Sequence, residues 1–161
     1  MVRIIREITR GDIQQIEDIY ALYWPDDDFR KKLCSRLQGY IEQNQEILRQ
    51  KFLYLVAEES EEVVGVIGMR AILEHMRGFA STSNPAELYI LAVKNRRVGV
   101  GRALVEKAME VAKNKGYTEL VVYSGETHNE SWGFYDHMGF KCVGDAIAPN
   151  GEPGKIWRLK L

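Results

Sequence analysis

The residues of this chain best placed to do chemistry are the run Arg96-Arg97-Val98-Gly99-Val100-Gly101, which follows an apolar stretch and opens an amphipathic one. A glycine-containing turn at the start of a helix leaves backbone N–H groups without partners, and the positive end of the helix dipole adds to them. That combination holds phosphate. A nucleoside-triphosphate loop would continue Gly-Lys-Ser/Thr, whereas Gly101 is followed by Arg102 and Ala103, so that reading fails. A dinucleotide fingerprint needs a small residue where Leu104 stands and a place after the first strand of a βαβ unit, so it fits poorly.

A second segment follows downstream, with Ser131, Phe134, Tyr135, Gly139 and Phe140. Taken together, the two segments resemble the GNAT superfamily of N-acyltransferases. The acyl-CoA loop of that family reads Gln/Arg, two variable residues, Gly, one variable residue, Gly/Ala, and Arg96, Gly99 and Gly101 match it position by position. Its second CoA-proximal helix ends in an aromatic pair, three residues and Gly-Phe, as Phe134, Tyr135, Gly139 and Phe140 do. Residues 86–93 are similar to the family strand that precedes the loop. The resemblance covers residues 52–143, and residues 1–50 match only in element order. Two departures stand out: the link from Val93 to Gly99 is two residues shorter than the commonest family form, and His128 replaces an expected Asn, with Asn129 beside it.

The resemblance implies an α/β fold with a central mixed, mostly antiparallel sheet of about seven strands, flanking helices and a splayed strand pair that receives CoA. It implies one N-acetyltransferase domain over residues 1–161, moving acetyl from acetyl-CoA directly to a primary amine of a small molecule or peptide. The main chain of Leu91, Ala92 and Val93 would then hold pantetheine and the thioester carbonyl. Arg96, Arg97, Val98, Gly99, Val100, Gly101 and Arg102 would surround the pyrophosphate, and Asn129 and Tyr135 would add contacts to the co-substrate. Tyr135 would be the general acid toward the departing thiolate. An ammonium has no lone pair, so the acceptor also needs a base. Glu87 is the sole carboxylate of its strand, and Glu126, after the next strand, is the substitute. Glu87 lies roughly 13–20 Å along a strand from residues 91–93, which favours a water relay. The family builds its acceptor pocket from the first helix pair, where Asp26, Asp27 and Asp28 would suit a cationic acceptor. The competing reading is a CoA-binding sensor or structural module without turnover.

Alternating periodicity organises the elements that must position these residues. Residues 2–8 alternate as a strand, and Thr9 with Asp12 opens a helix that ends near Trp24, before Pro25. Pro25 and the acidic triplet begin a second helix whose stripe is Leu33, Leu37, Ile41 and Leu48. Residues 52–57 and 63–69 form a hairpin, and 73–85 reads as a loop. Residues 86–93 and 120–124 are strands around a helix with Leu104, Val105, Ala108, Val111 and Ala112 on one face, stopped by Gly116. A short helix over 129–138 and strands over 140–147 and 155–161 complete the order.

The 161 residues suffice for one core, and 45% hydrophobic with 28% charged residues is the balance of a globular protein. Twenty-two Lys+Arg against 23 Asp+Glu leave no basic excess for nucleic acid. Uninterrupted apolar stretches reach five or six residues, so no membrane helix is expected. Cys34 and Cys142 lack metal-ligand spacing, no metal is expected, and the N-terminus lacks a signal-peptide core. The resulting expectation is a cytoplasmic protein with free thiols, whose partners are acetyl-CoA and an amine, with a homodimer left open.

Overall fold

A computed structural model describes residues 2–96 and 98–161; Arg97, expected at the pyrophosphate, lies outside the described residues. The strands are β1 (Arg3–Glu7), β2 (Leu53–Glu59), β3 (Glu62–Ala71), β4 (Pro85–Val93), β5 (Glu119–Gly125), β6 (Lys141–Ile147) and β7 (Pro153–Lys160). The helices are α1 (Ile13–Tyr23), α2 (Asp27–Ile41), α3 (Gln45–Arg49), α4 (Val100–Asn114) and α5 (Trp132–His137), with 3-10 turns at Arg10–Asp12, Glu74–Phe79 and Glu126–Ser131. The fold is α/β, with seven strands in the order β1-β2-β3-β4-β5-β7-β6. Strands β4 and β5 are parallel, and β1–β2, β2–β3, β5–β7 and β6–β7 are antiparallel. The chain divides into two compact units, residues 1–70 with 90–108 and residues 71–89 with 109–161.

In the first unit, the Asp12 carboxylate accepts hydrogen bonds from the Thr9 amide at 2.7 Å and from its hydroxyl at 3.1 Å, and pairs with Arg6 at 2.7 Å. Helix α1 buries Ile16, Ile19 and Tyr20 at helical spacing and ends at Trp24. Asp26 caps α2 by accepting from the Asp28 and Phe29 amides. The expected stripe fails at Leu48, which is 54% exposed. The helix stops at Ile41, Gln43 takes a φ of 56°, and Asn44 caps the separate α3. The break changes the helical phase, so Ile47 turns inward instead. Ile47 sits where a Cβ on Gly39 would come within 2.9 Å of it. Strand β3 carries Gly65, where a Cβ would lie 2.7 Å from Val100 and 3.0 Å from Leu104. Bare backbone at that position lets the first turns of α4 pack directly on the strand.

In the second unit, residues 73–85 are more ordered than a loop. Met76 of the 3-10 turn is buried with Ile72, Val121 and Ile156, and apolar burial folds the segment that its polar composition concealed. Pro85 already belongs to β4. Just beyond the turn, the fully buried Glu119 carboxylate accepts from the Ser81 amide at 2.7 Å, the Ser81 hydroxyl at 2.6 Å, the Thr82 amide at 3.0 Å and the Thr82 hydroxyl at 3.1 Å. Arg158 approaches it at 3.8 Å. Among the described residues no helix is long and apolar enough to cross a membrane.

Burial by itself would raise the Glu119 pKa, but the Ser81 and Thr82 donors outweigh it and hold the group below the usual carboxylate range. A depressed folded pKa adds stability above the unfolded value of about 4.3, and that stability is lost as pH falls through the lower folded value. Glu119→Ala should destabilise the protein by about 2–4 kcal/mol at pH 7 by leaving buried amides unpaired. In urea unfolding the gap to wild type should narrow below about pH 4, and a gap independent of pH would show that the charge is not what holds the segment.

Candidate active site

In the first unit the site residues are contiguous. Val93 ends β4, and its carbonyl accepts from the Tyr23 hydroxyl at 2.5 Å, so this main-chain acceptor is already occupied from α1. The Arg96 guanidinium lies 5.1 Å over the Tyr23 ring. Lys94 donates its amide to the Val64 carbonyl at 2.8 Å and pairs its ammonium with Glu62. Gly99 then takes a φ of +85°, a left-handed conformation that costs an L side chain roughly 1–2 kcal/mol. Its carbonyl accepts the first α4 bond, from the Ala103 amide at 3.1 Å. Val100 is buried, Val98 is exposed, and Arg102 pairs along the helix with Glu106 at 2.9 Å. Gly101 lies within α4 and is not among the positive-φ glycines. The two glycines of the motif, separated by Val100, therefore differ: Gly99 makes the left-handed turn, and Gly101 lies in the first turn of α4.

The second unit carries the proton-transfer candidates. Strands β4 and β5 pair from Pro85↔Glu119 to Leu88↔Val122; β4 runs on to Val93 and β5 to Gly125. Glu87 is buried in β4, 5% exposed, and accepts from the Leu73 amide at 3.5 Å. Around it β4 and β5 pair in continuous register from Pro85 to Leu88. Glu126 is exposed and lines an open groove of about 630 Å³ with Trp132, Asp145, Ile147, Pro153 and Lys155. Lys155 pairs with Asp145 at 2.7 Å and lies 5.4 Å over the Trp132 ring. Asn129 is exposed in the 3-10 turn, where His128 breaks helical geometry and its carbonyl accepts from the Ser131 hydroxyl at 2.7 Å.

Tyr135 is buried among aromatic rings, with centroids at 5.3 Å to Phe134, 5.7 Å to Phe140 and 5.5 Å to Trp157. The Gly-Phe of the motif makes this cluster. Gly139 is left-handed at φ +93°, the Phe140 amide bonds the Tyr135 carbonyl at 3.0 Å, and the Gly139 amide bonds Asp136 at 3.1 Å. This Schellman turn folds Phe140 back onto Tyr135. Burial pushes the Tyr135 phenol well above its ordinary pKa, so it stays protonated through neutral pH.

The acetyltransferase (GNAT) family model matches residues 14–140. The chain belongs to this family. N-acetyltransferase 8B of Rattus norvegicus is 31% identical over 108 residues, covering 66% of this chain and 45% of that protein. N-acetyltransferase 8 of Homo sapiens is 30% identical over 96 residues, covering 58% and 40%. The chain thus spans less than half the length of these curated relatives. Among solved structures, the PaiA N-acetyltransferase of Thermoplasma acidophilum in complex with coenzyme A aligns with a TM-score of 0.70 at 20% identity, covering 100% of both chains. The ribosomal-protein-alanine N-acetyltransferase of Brucella melitensis aligns with a TM-score of 0.73 at 19% identity, covering 98% of this chain and 99% of that one. Both share the fold. Sequence reasoning missed two residues that hold the GNAT loop, Tyr23 and Arg3; they lie 70 and 95–96 positions from the atoms they bond, and no local pattern marks such pairs.

The two motif glycines should separate in stability. Gly99→Ala should cost about 1–2 kcal/mol in chemical denaturation because of its positive φ. Gly101→Ala, in helical geometry, should be neutral or gain about 0.5–1 kcal/mol. Equal effects would mean that the left-handed turn at 99 is not what requires glycine.

Proposed function

We propose that the protein is an acetyl-CoA-dependent N-acetyltransferase, a single domain over residues 1–161, which transfers acetyl directly to a primary amine of a small molecule or peptide. The observation that carries this reading is the left-handed Gly99 turn, which follows the end of β4 at Val93 and starts α4 with the helix's first N–H groups unbonded within the helix. Those groups, from Gly99 to Arg102, receive the pyrophosphate. Leu91, Ala92 and Val93 offer their amides to pantetheine and to the thioester oxygen. The neutral amine attacks the thioester carbon, a C–N bond forms, the C–S bond breaks, and the thiolate leaves. Tyr135 gives it a proton, and its burial supplies the protonated starting state. Glu87 takes the amine proton through water, and Glu126, in its groove, is the competing base.

Transfer without an acyl-enzyme agrees with the thiols. Burial, with Glu17 nearby, pushes the Cys34 thiol up to about 12, where almost no thiolate exists at neutral pH. Cys142 is an exposed free thiol on β6.

The deciding experiment is calorimetric titration with CoA, followed by thiol release from acetyl-CoA over a panel of primary amines, corrected for hydrolysis. Binding with amine-dependent release is expected, and binding without release by any amine would favour a sensor. Tyr135→Phe should lower kcat by about 10²–10⁴ with CoA affinity retained. A near-wild-type rate with chemistry limiting would remove Tyr135 from the mechanism. The acidic limb of the kcat/KM profile should disappear in Glu87→Gln and persist in Glu126→Gln; the reverse pattern would pass the role to Glu126.

A further inference from the structure

We infer that Arg3 is a positioning residue for acetyl-CoA: from β1 it fixes the direction of the backbone N–H groups that receive the pyrophosphate. The inference rests on the acetyl-CoA reading above and adds a residue outside both motifs. The Arg3 guanidinium donates through Nη2 to the Val98 carbonyl at 3.1 Å and through Nη1 to the Gly99 carbonyl at 3.3 Å. Its remaining nitrogen, Nε, holds Glu59 at 2.6 Å. Arg3 and Glu59 are direct cross-strand neighbours in the β1–β2 register, so the base of the fork is anchored on the sheet.

A trans peptide unit points its N–H away from its C=O. Drawing the Val98 carbonyl onto Arg3 therefore turns the Gly99 N–H away from β1. Holding the Gly99 carbonyl, which also accepts from Ala103, does the same for the Val100 N–H. These are two of the N–H groups assigned to the pyrophosphate. Gly99 needs such a restraint more than most residues, because glycine crosses between left-handed and right-handed conformations at little cost. Glu59 offsets the charge of Arg3, so the effect is one of geometry more than of electrostatic attraction. Three nitrogens in a rigid plane reach three oxygens at once, which a lysine ammonium cannot reproduce.

The test uses CoA and pantetheine, which share the arm that enters the site but differ in the pyrophosphate. Calorimetry on the full chain should show CoA affinity falling roughly ten-fold in Arg3→Met, the loss of about one charge-assisted hydrogen-bond contribution, with pantetheine affinity unchanged. Arg3→Lys should behave like Arg3→Met, and Glu59→Gln should show a smaller loss of the same kind. Equal weakening of CoA and pantetheine would overturn the proposal in favour of a general structural role, and unchanged CoA affinity would remove Arg3 altogether. Full recovery in Arg3→Lys would overturn the geometric account in favour of charge. Absence of CoA binding in the wild type would instead overturn the acetyl-CoA reading, an outcome separable from every result on the variants.

Discussion

The left-handed turn at Gly99 is the constraint around which the first unit is arranged. A strand must end, a helix must start, and the peptide groups between them must face their N–H ends outward. Glycine permits the φ of +85°, but permission does not fix a conformation. The fixing comes from three directions: the helix takes the Gly99 carbonyl through Ala103, Arg3 takes the carbonyls of Val98 and Gly99, and Tyr23 holds the Val93 carbonyl just before the turn. Gly65 completes the arrangement by removing a side chain where Val100 and Leu104 must approach β3. On the proposed reading, backbone N–H groups that receive an anion gain from having their order built in beforehand.

The second unit solves a different problem, which is to keep polar groups in an apolar setting. Glu119 is fully buried yet surrounded by four donors from Ser81 and Thr82, and this holds residues 80–84 against the start of β5. At the other end of β5, Tyr123 donates to the Glu152 carbonyl at 2.7 Å, and the Glu152 carboxylate accepts from the Thr127 amide at 3.0 Å. A Cβ at Gly125 would meet that carboxylate, and one at Gly154 would meet the Ser124 carbonyl and the Tyr123 ring. Small residues and one glutamate thus shape the end of the β6–β7 hairpin that borders the Glu126 groove. Tyr135 belongs to the same economy: its ring is held by Phe134, Phe140 and Trp157, while Trp157 satisfies its own indole N–H on Asp136 at 3.0 Å.

The sequence alone began the second helix at Pro25, one residue before the Asp26 cap, but it determined the seven strands, the helix stop near Trp24, the loop glycines and the aromatic Gly-Phe motif. Each depends on interactions within a few residues: caps, a fixed proline φ, helical periodicity, a Schellman turn. Tertiary structure decided the rest. Residues 73–85 looked like a loop because their composition is polar, yet burial of Met76 and the Glu119 donors order them. The stripe of the second helix seemed to run on to Leu48 because periodicity does not register the break at Gln43, after which Ile47 faces inward. Glu87 could have faced solvent or core, since one carboxylate in an apolar strand carries no signal of its own, and only the packed strand buries it. Arg3 and Tyr23 lie dozens of residues from the carbonyls they hold. Their roles come from strand register and helix placement, which arise when distant segments pack, and local sequence pattern does not encode which distant backbone atom a side chain will meet.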